Sequence, residues 1–230
     1  MRDALAPWLP RALQVLDLRR KDRLLLVLPG EVQVARAVAQ LVGPQGEITV
    51  LEPRRRQAEA IAEALPGAEV LALRPSADDR IGSFDAVLAV PFAAPPLPVE
   101  QWSGMVAANL RPGGRFVLDL PAPDPLPDVR SAAQEGQLRF ADRLVEGLCG
   151  PSAEALVSAL HERGLRRIET LLGTHLVAAG SPFDLVDLVA TAVRLDEDER
   201  SQLGEALARR LHSTAAVETL AHRSAVAGMR

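Results

Sequence analysis

The chain has 230 residues, 48% of them hydrophobic, with a net charge of −4 and a pI near 5.6. That is enough apolar mass for a packed core, so disorder is not the default, and the acidic balance argues against a nucleic-acid surface. Cys149 is the single cysteine, which excludes an internal disulfide and fits a reducing cytoplasm; no apolar run reaches the ~18 residues of a membrane span, and the N-terminus lacks the apolar core of a signal peptide.

In chain order, Trp8–Leu18 carries Leu9, Leu13 and Leu16 on one helical face, with Arg19-Arg20-Lys21 at its end, where positive charge suits the helix dipole. Leu24–Leu28 is a short unbroken apolar run, the mark of a strand buried on both faces. Pro29-Gly30 is a turn signal, and Gly30 can take the positive φ that a tight strand-to-helix turn needs. Val34, Val38, Leu41 and Val42 recur at helical spacing until Gly43-Pro44 ends the helix. Ile48–Leu51 is a second buried strand, and it ends on an acid, Glu52. Strand, glycine turn, helix and a second strand ending in an acid make the nucleotide-binding half-unit of an open α/β sheet.

The alternation continues. Arg54–Leu65 predicts a helix, Glu69–Leu73 a third strand, Arg74–Ser83 a polar loop and Phe84–Val90 a fourth strand. Pro98–Leu110 predicts a helix, Asn109–Gly114 its stop and a tight turn, and Arg115–Leu120 a fifth strand. Ser131–Cys149 predicts one more helix and Ala153–Arg163 another. Leu165–Leu172 and Thr174–Ala179 read as strands six and seven, joined at Gly173 as an antiparallel hairpin. Helical crossovers imply parallel strands and the hairpin an antiparallel one, so the expected fold is a mostly parallel seven-stranded α/β sheet with an antiparallel strand at its end. The expected organisation is an N-terminal helix (1–22), a sheet domain (23–180) and a helical C-terminal extension (181–230).

Three stretches carry a resemblance to a known family: Phe84-Asp85-Ala86-Val87, the string LRPGGRFVLDL from Leu110 to Leu120, and ALHERGLRRIETLLGTHLVAAG from Ala159 to Gly180. In this order and spacing the chain resembles the class I S-adenosylmethionine-dependent methyltransferases, with their Rossmann-like sheet. The resemblance implies a cofactor turn of G-x-G-x-G type after strand one, whose strand ends in an acid. Laid against it, Leu26 stands at the acid and Leu28, Gly30 and Val32 at the three glycines, so one glycine remains. It also implies that Glu52 is the acid that meets the cofactor's ribose, with a solvated acid beside Arg54, Arg55 and Arg56 as the other outcome. The adenine-binding acid after strand three falls near Arg74, and Asp78 and Asp79 are the nearest carboxylates. Leu26, Leu28 and Val32 are expected to fill part of the pocket, and Glu31 to repel a bound carboxylate. S-adenosylmethionine is therefore a possible cofactor whose binding is expected to be weak or absent.

The turn also fails as a dinucleotide fingerprint, because Leu28 and Gln33 replace glycines. The segment Ala89-Val90-Pro91-Phe92 lacks the polar residue of the [DN]-P-P-[YF] motif found in base and amide methyltransferases. No catalytic residue is assigned. His161, His175, His212 and His222 lack metal spacing, and no metal site is expected. Two proline-rich loops, Pro91–Pro98 and Pro121–Pro127, stiffen the rim where open sheets bind ligands. Beyond Gly180 three short helices are expected. The first carries Phe183, Val186, Val189 and Val193; the second starts at Asp196–Glu199 with capping-box spacing; the third carries Val217, Leu220 and Ala221. Their apolar faces need cover, so a homodimer or a protein partner through these helices is expected. Three functions fit these residues: a methyltransferase-like binding or assembly module with a degenerate cofactor turn, a working methyltransferase with a divergent turn, and a binder of another small ligand.

Overall fold

The computed structural model describes residues 8–91, 97–190 and 193–230. Among these residues the elements run α1 (Leu9–Leu16), β1 (Arg23–Val27), α2 (Val32–Val42), β2 (Glu47–Leu51), α3 (Arg55–Ala64), β3 (Glu69–Leu71) and β4 (Phe84–Ala89). They continue as α4 (Val99–Asn109), β5 (Leu110–Pro121), α5 (Pro127–Glu135), α6 (Ala141–Leu148) and α7 (Ala153–Glu162). The chain ends with β6 (Arg166–Ala179), α8 (Pro182–Ala190), α9 (Glu197–Arg210) and β7 (Val217–Met229). The strands form one sheet in the order β3-β2-β1-β4-β5-β7-β6.

The parallel half follows from apolar runs. Leu24, Leu25, Leu26 and Val27 of β1 are all solvent-excluded, because β2 and β4 flank the strand and helices cover both faces. Each buried side chain of this size contributes roughly 1.5–3 kcal/mol. Alternate residues feed two cores. Leu24 and Leu26 pack with α1, α2 and α3, and the same core extends under α5, α6, α8 and α9. Leu25 and Val27 pack with α4 and α7 through Trp102, Met105, Leu156 and Leu160. The expected seven-stranded sheet with an antiparallel strand is present.

Three expectations need correction. First, Gly173 is not a hairpin turn: β6 runs through it without a break and pairs with β7 as far as Ala179. A Cβ at Gly173 would lie 2.8 Å from His175 Nε2 and 2.9 Å from Arg11 Nη1, so the glycine permits a close approach rather than a reversal. Second, the third tail helix is strand β7, inserted antiparallel between β5 and β6. Its alanines and the Val217–Leu220–Ala221 spacing fit a helix, but two waiting strand edges outweigh that local preference. Residues 181–230 are therefore not wholly helical; α8 and α9 form an excursion between the last two strands. Third, Ser131–Cys149 is not one helix, because α5 ends at Glu135 and Gln137 takes φ +50° before α6 begins.

The helices of the excursion are covered from within. Leu185, Val186, Val189, Val193, Leu203 and Leu207 are buried in the first core, and Phe183 lies against Gly204 of α9. The capping box is complete: Glu199 N–H donates to Asp196 Oδ1 (2.8 Å), and Asp196 N–H donates to Glu199 Oε2 (3.1 Å).

Candidate functional site

The candidate crevice lies at the carboxyl ends of β1 and β2, where open α/β sheets bind ligands. β1 hands over to α2 through Leu28-Pro29-Gly30-Glu31. Leu28 takes φ +52° while its N–H donates to Leu51 O at 2.8 Å. A leucine in the left-handed region carries a penalty of about 1–2 kcal/mol. The backbone thus keeps a path suited to glycine although the residue is not one. Gly30 follows at φ +73°, and Glu31 N–H donates across it to Pro29 O (2.8 Å), closing a three-residue turn. Gln57 of α3 donates its side-chain N–H to Gly30 O.

Glu52 leaves the end of β2 fully buried, with 0% exposure. Arg54 binds it from three positions: N–H to Oε1 at 3.2 Å, Nε to Oε1 at 2.7 Å and Nη2 to Oε2 at 3.0 Å. This is a two-pronged, charge-assisted contact, the strongest geometry available to a carboxylate. The same guanidinium lies over the turn, since a Cβ built on Gly30 would sit 3.5 Å from Arg54 Nη2. Glu31, the N-cap residue of α2, gives no side-chain capping bond. Burial pushes its carboxyl up from the usual range, and the charge of Arg54 pulls the other way. Arg54 therefore bonds Glu52 directly and acts on Glu31 through its charge alone.

Leu26, Leu28 and Val32 are each packed into one of the two cores. Leu26 is mid-strand between Val50 and Leu88 and belongs to the α1–α2 core. Leu28 is buried in the opposite core, and Val32 packs against the first one. The group against Gly30 is Arg54. The sequence had named Arg54 only as a solvating neighbour; its place two residues after a strand-ending acid was the available signal.

Asp78 and Asp79 are exposed, and their carboxylates make no hydrogen bond or ion pair among the described residues. Their loop is tied to α4 instead. Buried Asn109 accepts from Ile81 N–H (2.7 Å) and Gly82 N–H (3.2 Å), and donates to Asp79 O (2.8 Å) and Met105 O (2.9 Å). Gly104 of α4 lets Ala77 lie against the helix. Glu52 and Gly30 are thus brought together, while the loop of Asp78 and Asp79 is fixed on α4.

A second charged centre, unread in the sequence, sits at the end of β5. Arg223 of β7 donates Nε to Asp119 Oδ1 at 2.9 Å and Nη2 to the Asp119 carbonyl, with both residues buried. The Arg223 guanidinium lies 4.2 Å from the centre of the Trp8 ring, which meets His175 edge-on at 5.9 Å. Burial raises the Asp119 carboxyl despite its cationic partner, and burial lowers His175. Asp119 was hidden within an apolar strand and Arg223 in a presumed helix.

Of the rim, residues 92–96 lie outside the described residues, including Phe92 and most of the first proline-rich loop. The second loop is tied down: His222 N–H donates to Pro125 O (2.8 Å), Gly150 N–H to Ala122 O (3.1 Å) and Cys149 Sγ–H to Pro123 O (2.7 Å). Burial pushes the Cys149 thiol up, away from the reactive thiolate. Histidines 161 and 212 are exposed, and His222 Nδ1 meets Thr174 Oγ1 at 2.9 Å. Among the described residues no three His, Cys, Asp or Glu gather as metal ligands, and no helix is long and apolar enough to cross a membrane.

No family model matches the chain, and no curated protein matches its sequence. Solved structures do match. YcgJ from Bacillus subtilis shares 10% identity over 100% of this chain and 99% of that one, with a TM-score of 0.62. A candidate methyltransferase from Bacillus halodurans shares 14% identity over 96% and 97%, with a TM-score of 0.59. Geranyl diphosphate C-methyltransferase from Streptomyces coelicolor, solved with S-adenosyl-L-homocysteine, shares 11% identity over 96% and 74%, with a TM-score of 0.54. The chain has the fold of the class I S-adenosylmethionine-dependent methyltransferases.

Proposed function

We propose that this chain is a methyltransferase-like binding or assembly module whose cofactor crevice is closed by its own Arg54–Glu52 pair. The carrying observation is that the one acid matching the ribose anchor is fully buried under a guanidinium that also covers Gly30. A ribose diol would have to displace a two-pronged ionic contact with neutral hydroxyls. Hydrogen bonds to a charged group contribute ~1.5–3 kcal/mol, and the diol must surrender its own bonds to water. The residues present therefore do not fit the cofactor, and no catalytic step is drawn through it. Titration of the full chain by calorimetry is expected to give no micromolar binding of S-adenosylmethionine or S-adenosylhomocysteine. Micromolar binding by the unmodified chain overturns the proposal. Arg54→Ala is expected to open the crevice and gain affinity.

A second function, a working methyltransferase with a divergent turn, draws on one observation: Leu28 and Gly30 keep positive φ values, so the glycine-turn path persists. Arg54 is 40% exposed and could swing aside. The same titration decides between the two.

A further inference from the structure

We propose that two copies of this chain pair antiparallel along β6, with the twofold axis at Leu172, so that the two sheets continue into one. Among the described residues β6 is the last strand in the sheet order and has β7 as its one ladder partner. It is 14 residues long, against the ~5–6 usual for a strand. From Thr170 to Ala179 it carries no proline, lysine or bulge; the ladder bulge lies before this stretch, between Arg166 and Glu169, and Arg11, which reaches the Leu172 carbonyl from the covered face, must release it for the second copy.

One face of the β6–β7 ribbon is covered, and the other is bare. The α8–α9 excursion packs on the side of Val177, Ala179, Val217 and Ala221. On the opposite face, α7 covers Ile168 and Val226 but leaves an apolar group in water beyond them. Leu172 is 73% exposed, Leu176 53% and Leu220 43%, and Leu176 and Leu220 are ladder partners. Three exposed leucines on one face of the ribbon need a cover.

The strand is its own complement. With Leu172 on the axis, Leu172 meets Leu172, Thr170 meets Thr174 and Ile168 meets Leu176, all on the bare face. On the other face Glu169 meets His175. Beside His175, Arg11 Nη1 donates to Leu172 O at 3.1 Å, approaching from the side to which a Cβ at Gly173 would point. Glu169 is exposed and makes no ion pair among the described residues. The twofold operation brings each Glu169 carboxylate to the Arg11–His175 corner of the second copy. Like meets like on one face, and opposite charges meet on the other.

The pairing does not depend on whether the crevice binds a cofactor, so either conclusion can fail alone. The test is sedimentation velocity of the full chain without ligand, at micromolar concentration. A dimer is expected. Leu172→Glu places two carboxylates opposite each other on the axis and should weaken it about tenfold or more. Because Leu172 is exposed, the variant should keep its fold, read as an unchanged circular-dichroism spectrum. In a Cys149→Ser background, Leu172→Cys should cross-link the dimer on mild oxidation, since opposed strand positions suit disulfide geometry. Thr174→Cys should not, because its counterpart is Thr170. A monomeric full chain, a dimer that Leu172→Glu leaves intact, or cross-linking at Thr174→Cys but not Leu172→Cys overturns the proposal.

Discussion

The two ends of the sheet manage charge and exposure in opposite ways. At the β1–β2 corner the strands are short, their carboxyl ends are solvent-excluded, and polar groups left there are bonded from the start of α3. Glu52 is held by Arg54, and Gly30 O by Gln57. At the β6–β7 end the strands are long, one face is bare, and Glu169 stands in solvent without an ion pair among the described residues. The first end has the address of a ligand site, but its buried acid and the Gly30 carbonyl are already bonded. The second has unspent apolar surface and charge. For this molecule, recognition is expected where groups remain unsatisfied, not where the fold usually binds.

The sharpest way to break the comparison is to cut the pin between the two ends. Asp119 and Arg223 tie β5 to β7 in a site that is 2–3% exposed. Arg223→Ala leaves the Asp119 carboxylate buried without its cation and should cost ~3–5 kcal/mol. For a chain of this size that is a fall of about 10 °C in unfolding midpoint. Replacing both residues with apolar ones of similar volume should recover most of the loss, because the pair must itself be desolvated. If Arg223→Ala melts within a degree or two of the parent, the ribbon is held by its ladder and not by the pin.

A smaller effect tests the corner. At most buried positions alanine is better tolerated than glycine, because glycine loses more backbone freedom on folding. At Leu28 the order should invert. With φ at +52° a Cβ is strained, so Leu28→Gly should be more stable than Leu28→Ala by about 1 kcal/mol, although both lose the buried side chain. Denaturant midpoints of the two variants decide it. The usual order, alanine above glycine, would show that the left-handed turn is not maintained in solution.

Legibility in the sequence followed the same divide. The parallel half was readable because runs such as Leu24–Leu28 and Phe84–Val90 can hide their side chains only between two helical layers. The capping box at Asp196 and Glu199 was readable because both its bonds are local. β7 was not, because its identity is set by β5 and β6, up to about a hundred residues upstream in the chain. Residues 217–221 carry a spacing that a helix and a half-buried strand both accept, and only the ladder decides. At the candidate crevice, the positions of Gly30 and Glu52 followed from their places after β1 and β2. The saturation of Glu52 was not, since sequence proximity put Arg54 near the acid without fixing which way the guanidinium turns. Asp78 and Asp79 depended on the course of a loop that Asn109, some thirty residues later in sequence, controls.

The smallest expected effect concerns Glu31, on the crevice side of the comparison. Burial raises its folded-state carboxyl above the unfolded value of 4.5, and Arg54 offsets part of that rise. Folding thus favours the protonated form. The resulting stabilisation is fully present below the unfolded value and is lost as pH rises through the folded one. At neutral pH the charged Glu31 is a net burden, which Glu31→Gln removes. The residue is only partly buried, so solvent screening limits the gain to a few tenths of a kcal/mol. The variant should melt slightly above the parent at neutral pH, and the gap should close below pH ~4, where both side chains are neutral. A gap that persists in acid would place the cost in packing. A variant less stable than the parent at neutral pH would mean that Arg54 draws net stabilisation from Glu31 as well as from Glu52. The closure of the crevice would then rest on a three-membered charge cluster, not on a single pair.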